Sequence, residues 1–194
     1  MSPATMTTRR LFTRADWRAM AEAGVFGDEA LELIDGEVAV MAPEGPDHAS
    51  LGGRIGDILR PAFGEGWHVR TNLPMAGPGI CTEIRPDVAV VKGGWRDYMS
   101  EHPSTAGLVV EVSRSSLAFA LGDKAGIYAA MGVREYWVVD MATGRLVVHC
   151  DPVIKADSQL GHAYQSVSIV APADGAVISP LEAPGTILQL IDLL

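Results

Sequence analysis

The sequence predicts an α/β fold of the α+β mixed-sheet kind: a central mixed β-sheet flanked by helices, preceded by a helix and a hairpin. Three observations predict it. Two short runs, Val88-Ala89-Val90-Val91 and Leu108-Val109-Val110-Glu111-Val112, are apolar almost throughout, as strands covered on both faces are. A helical pattern from Leu121 to Met131 separates the second run from a further strand signal at Glu135 to Val139. That order implies a right-handed crossover between parallel neighbours. The pair Asp35-Gly36 lies between two strand-like runs, where a tight hairpin turn needs positive φ at both positions.

Residues 1–12 read as a flexible tail and residues 13–194 as a single domain. Thr13 can cap a helix, with Asp16 as its capping-box partner and Gly24 as its stop. Trp17 and Met20 would form the inner face of that helix. In the hairpin, a two-residue turn sets Ile34 opposite Glu37 and Leu33 opposite Val38. Leu31, Leu33, Val38 and Val40 then share one face, expected to meet the core, and Glu32 and Glu37 share the other. Asp47 can cap a helix carrying Leu51, Ile55, Ile58 and Leu59 at helical spacing. Gly52, Gly53 and Gly56 weaken it but admit a close neighbour. Trp67 to Thr71 alternates as a strand, and residues 73–79 read as a Pro/Gly loop. Residues 93–104 read as a loop with one helical turn near Tyr98-Met99. Ala142-Thr143-Gly144 turns the chain into Arg145 to His149, and a further strand is expected near residues 164–170. A final apolar segment runs from Ile187 to Leu194. Residues 151–194 carry no readable chemistry and are expected to complete the sheet and contribute an interface.

Composition narrows the class. With 194 residues, 48% hydrophobic and 20% charged, the chain can bury a core and is not disordered as a whole. Cys81 and Cys150 are the only cysteines, too few for a disulfide framework or a four-cysteine zinc site. The histidines at 48, 68, 102, 149 and 162 lack the close spacings of zinc ligands. No apolar run reaches the ~18 residues of a membrane span. The first thirteen residues lack an apolar export core, so the expected compartment is cytoplasmic. Against 24 acidic residues stand 15 basic ones, a net charge of −9. That excludes nucleic-acid binding over the whole surface and leaves room for a local basic groove.

Glu111 is the most informative residue, a carboxylate inside a run that predicts burial. A buried carboxylate is costly unless it is paired or holds a metal. Asp87 opens the other buried strand, and adjacent strands can bring both carboxylates to one sheet edge, an oxygen site suited to magnesium (Mg²⁺). The competing reading pairs Glu111 with an arginine and leaves Asp87 a turn residue. Lys124 lies on one helical face with Leu121, Tyr128 and Met131. A lysine there either snorkels to water or meets a buried anion such as the carboxylate pair.

The blocks Glu32-Leu33-Ile34-Asp35-Gly36-Glu37, Pro86-Asp87-Val88-Ala89-Val90-Val91, Val109-Val110-Glu111-Val112-Ser113, Leu121-Gly122-Asp123-Lys124 and Tyr128 to Asp140 resemble, in order and spacing, the Uma2 family of bacterial proteins, also called DUF820. The resemblance spans about residues 30–150 and implies a restriction-endonuclease-like core of the PD-(D/E)xK nuclease superfamily. It implies that Asp87 and Glu111 are the motif acids. It also implies that the motif lysine, absent at Ser113, has moved to Lys124. Glu32 matches an early acidic residue, His48 a histidine opening the next helix, and Tyr128 a tyrosine expected to pack. The family's Ser-Pro-Ser-Thr stretch is replaced by Ser113-Arg114-Ser115-Ser116, which alters the loop but no metal ligand.

Together these features predict an endonuclease that hydrolyses DNA phosphodiester bonds with Mg²⁺ or Mn²⁺. Asp87, Glu111 and, as a further ligand, Glu32 would hold the metal, with Lys124 placing the attacking water. DNA would bind weakly and in a salt-sensitive way, through a local groove that a homo-oligomer, most simply a dimer, completes. The alternatives are a catalytically inactive binding or assembly module on the same fold, and a hydrolase of another phosphate ester.

Overall fold

The structure is a computed structural model that describes residues 8–41, 43–158 and 160–194; residues 1–7 of the expected tail lie outside the described residues. In chain order the helices and strands are α1 (Arg14–Glu22), β1 (Leu31–Ile34), β2 (Glu37–Val40), α2 (Pro46–Phe63), β3 (Trp67–Thr71), β4 (Met75–Ala76), β5 (Glu83–Ile84), β6 (Val88–Lys92), β7 (Leu108–Ser113), α3 (Leu117–Phe119), α4 (Ala125–Ala130), β8 (Glu135–Asp140), β9 (Arg145–Ile154), β10 (His162–Val170), β11 (Val177–Ile178) and β12 (Leu188–Gln189). The central sheet runs β10-β9-β8-β7-β6-β3. Its β7–β8 pair is parallel and its other pairs are antiparallel, the mixed sheet that the strand-helix-strand order implies. No helix among the described residues is long and apolar enough to cross a membrane.

Alternation along the buried strands divides the core. Val88, Val90, Val110 and Trp137 pack beneath α2 with Leu51, Ile55 and Leu59. Ala89, Val91, Val109, Tyr136 and Val138 pack on the opposite face against Ile127 and Tyr128 of α4. Period two places Glu111 on the α4 face, with Val109.

Around this sheet some expectations change. The α1 capping box forms, with Thr13 N and Oγ1 bonded to Asp16, yet no residue of α1 is buried; Trp17 pairs its ring with Phe26 instead of reaching the core. α2 begins one residue before Asp47, at Pro46, with Gly45 as N-cap; proline suits the first turn because its missing N–H has no intrahelical partner there. The hairpin forms in the expected register, Leu33 opposite Val38 and Ile34 opposite Glu37, but its faces are used differently. Leu33 is fully buried as expected, but Val38 and Val40 of the same face are exposed, while Glu32 on the other face is 3% exposed. Register fixes which side chains share a face, and the tertiary partners decide which face is covered; the Glu32 face is covered because Lys124 meets it. β4 and β5, two residues each, join the hairpin in a second sheet ordered β2-β1-β5-β4. Two residues have no periodicity to read, so the stretch looks like a loop. The helical turn after β6 covers Trp95–Tyr98.

The expected helix over 121–131 starts earlier and is irregular. α3 passes into a π-helical segment, Ala120–Lys124, before α4. Such segments widen a helix locally and are frequent at functional sites.

Candidate active site

Pro86-Asp87 enters β6 beside β7, and the Asp87 carboxylate takes the end of that ladder: Oδ2 accepts the Val112 N–H at 2.6 Å. Glu111, inside β7, accepts from the Tyr128 hydroxyl at 2.6 Å and from Lys124 Nζ at 2.9 Å, both on Oε1. Lys124 reaches it from the end of the π-helical segment and is 3.3 Å from Glu32 Oε1 as well. Glu32 Oε1 also accepts the Arg85 backbone N–H at 2.8 Å, and its Oε2 is buried without a partner. The sheet edge, the hairpin and the helix thus converge on one ammonium.

His48 sits in the first turn of α2, with Nε2 2.7 Å from the Val112 carbonyl and 3.5 Å from Asp87 Oδ2. Nδ1 is buried without a hydrogen-bond partner, 3.6 Å from Glu44 Oε2. A carbonyl only accepts, so Nε2 donates to it, which leaves Nδ1 as the ring nitrogen open to a ligand. Metal-binding histidines are held in this way, with the second nitrogen donating to a carbonyl. One ligand atom each from Glu44, His48 and Asp87 lies within 4.8 Å of the others. Sequence reasoning missed Glu44. Its one signal is its place four residues before His48, in a turn where proline and glycine set the pattern.

Glu32, Glu44, His48, Asp87, Glu111 and Lys124 line a cavity of about 330 Å³, whose remaining walls include Leu31, Met41, Arg85, Val112, Ser116 and Phe119. The structure therefore brings Glu32, His48, Asp87, Glu111 and Lys124 to one place and adds Glu44. Burial, and then the neighbouring Glu111 carboxylate, push the Asp87 carboxyl up to about 8. Burial likewise raises Glu32, against the opposing pull of Lys124. For Lys124 burial alone would lower the ammonium; Glu111 and Glu32 together outweigh it and hold it above the ordinary lysine value. Burial and the Glu111 charge keep the Tyr128 hydroxyl protonated.

The donor set fits a divalent cation. Four carboxylates and one imidazole face Lys124 and Arg85 in the same cavity. The Asp87 carboxyl is raised first by burial and then by the Glu111 charge, and a cation beside it would offset both. His48 Nδ1 is buried with no hydrogen-bond partner. Carboxylate oxygens suit Mg²⁺ and Mn²⁺, and an imidazole in the set favours the latter.

The sequence model of the Uma2 family, described as "Putative restriction endonuclease", matches residues 18–189. No curated protein matches the sequence. Among solved structures, the chain is similar to one described as "Crystal structure of a putative nuclease belonging to DUF820 from Anabaena variabilis ATCC 29413". The TM-score is 0.70 at 13% identity, covering 94% of this chain and 97% of that one, so the likeness is one of fold.

Proposed function

The chain belongs to the Uma2 family, and from that premise we propose that it is a metal-dependent endonuclease cleaving DNA phosphodiester bonds in the cavity of Asp87 and Glu111. One observation carries the reading: a single cavity gathers the carboxylates of Glu32, Glu44, Asp87 and Glu111 with Lys124 and His48. Asp87, Glu44 and His48 would hold the ion on one side. Both hydrogen bonds to Glu111 fall on Oε1, which leaves Oε2 for the ion. When bound, the ion supplies an acidified water and polarises the phosphate.

The protein groups divide the remaining work. Lys124 stays charged, so it acts as a donor and not as a base. It orients the attacking water and neutralises charge developing on the phosphate. Glu32 and Tyr128 are positioning residues: Glu32 fixes the ammonium, and Tyr128 fixes Glu111. His48 bridges the Val112 carbonyl and the Glu44–Asp87 side of the site.

Cleavage of supercoiled plasmid and of single-stranded DNA with Mg²⁺ or Mn²⁺ at low salt, beside Asp87→Ala and Lys124→Ala proteins, tests this. The expected result is metal-dependent cutting lost in both variants. No cutting by the parent protein, or equal cutting by the variants, overturns it and moves the weight to a non-catalytic module or to another phosphate ester.

A further inference from the structure

We propose that the cavity takes an unstacked nucleotide of a single DNA strand, with Phe119 as the platform for its base and Arg85 as the contact for its flanking phosphate. The proposal rests on the nuclease reading and narrows its substrate.

The reacting groups are the buried part of the cavity lining. Glu32, Asp87, Glu111 and Lys124 are 3–6% exposed. A phosphodiester must enter to reach them, which an unpaired strand does without the unstacking cost that a duplex bears. The volume, about 330 Å³, lies at the lower end of pockets that enclose a small organic ligand. One part of the lining is charged; the rest, including Leu31, Met41, Val112 and Phe119, is apolar. Phe119 is half-buried, and the Lys124 ammonium lies 5.9 Å from its ring centroid. An aromatic ring beside a phosphate-handling site is how single strands are held without sequence preference.

Charge points the same way. Duplex DNA brings one negative charge per ~1.7 Å of axis, twice that of a single strand. Around this mouth Glu44 and Asp47 are exposed, and the Arg114 guanidinium is engaged by Asp47. Arg85 is exposed, lines the cavity, and among the described residues its guanidinium has no ion-pair partner. It can meet one phosphate. A second strand would face the acidic rim without compensation.

The test uses one sequence as a single strand, as a blunt duplex and as a duplex with an unpaired bubble, with Mn²⁺ at low salt. Binding is read separately by the fluorescence of a 2-aminopurine base placed in each substrate, in parent, Phe119→Ala and Phe119→Trp proteins. Single-strand and bubble substrates are expected to exceed the duplex in kcat/KM and in affinity by about tenfold or more, the scale of one stacking platform. Phe119→Ala is expected to raise KM for the single strand about tenfold with kcat nearly unchanged, and Phe119→Trp to restore it. A duplex cut or bound as well as the single strand overturns the proposal, as does a Phe119→Ala effect equal on all substrates. Absence of cutting with preferential single-strand binding overturns the nuclease reading alone.

Discussion

Lys124 is the residue on which the site turns. Its ammonium lies between Glu111 and Glu32, all three buried. Removing one partner of a buried ion pair leaves an uncompensated charge. Lys124→Met is therefore expected to cost about 3 kcal/mol in urea unfolding at neutral pH. Asp87 titrates in a buried site beside Glu111, Lys124 and Glu44. Its carboxyl, raised to about 8 in the folded ion-free protein, binds its proton more tightly than in the unfolded chain. Stability from this group is complete below the unfolded value, near 3.8, and is lost as pH rises through about 8. A metal must displace that proton, so divalent-ion affinity should rise about tenfold per pH unit up to about pH 8 and then level, as calorimetry in buffers of different ionisation heat would show. Sequence reasoning placed Lys124 from its apolar helix face, because a charge there needs an anion. Glu32 came only from the family resemblance, since hairpin alternation turned it to solvent. Glu44 had no periodic neighbours to mark it.

At the scale of elements, the buried strands and the hairpin register were readable because alternation and the Asp-Gly turn are local. The π-helical segment was not, because no pattern of residue types marks one. Gly56 shows the same division. Its weakening of α2 was evident, and its reason is a neighbour: a Cβ there would lie 2.7 Å from Thr71 Cγ2 of β3. Gly56→Ala gains helix propensity, worth about 1 kcal/mol, but meets that methyl. A net loss of about 1–2 kcal/mol is expected from the overpacking. Thr71→Ser removes the methyl, and the double variant should recover most of the loss in a double-mutant cycle.

For the whole molecule, the central sheet is covered by α2 on one side and α4 on the other, and the C-terminal residues close the α2 side. Leu190 and Leu193 are 1% and 0% exposed in that core. Leu193→Ala, next to the last residue of the chain, is expected to cost about 2–4 kcal/mol in denaturant unfolding, as an interior position would. The final apolar segment was readable as apolar, but its place under α2 was not, since no local pattern says which face a last segment will cover.

The cavity draws on β1, the turn before α2, the first turn of α2, the start of β6, the middle of β7 and the π-helical segment. No single one of these makes a complete set of ligands. An ion that binds there recognises the finished fold and ignores the unfolded chain, so at a hundred times its dissociation constant it adds about 2.7 kcal/mol to the stability of the native state. Chelation should thus leave the chain as open to a protease as a destabilising mutation does. In a limited-proteolysis experiment, survival against ion concentration would trace the occupancy of the site with no DNA present.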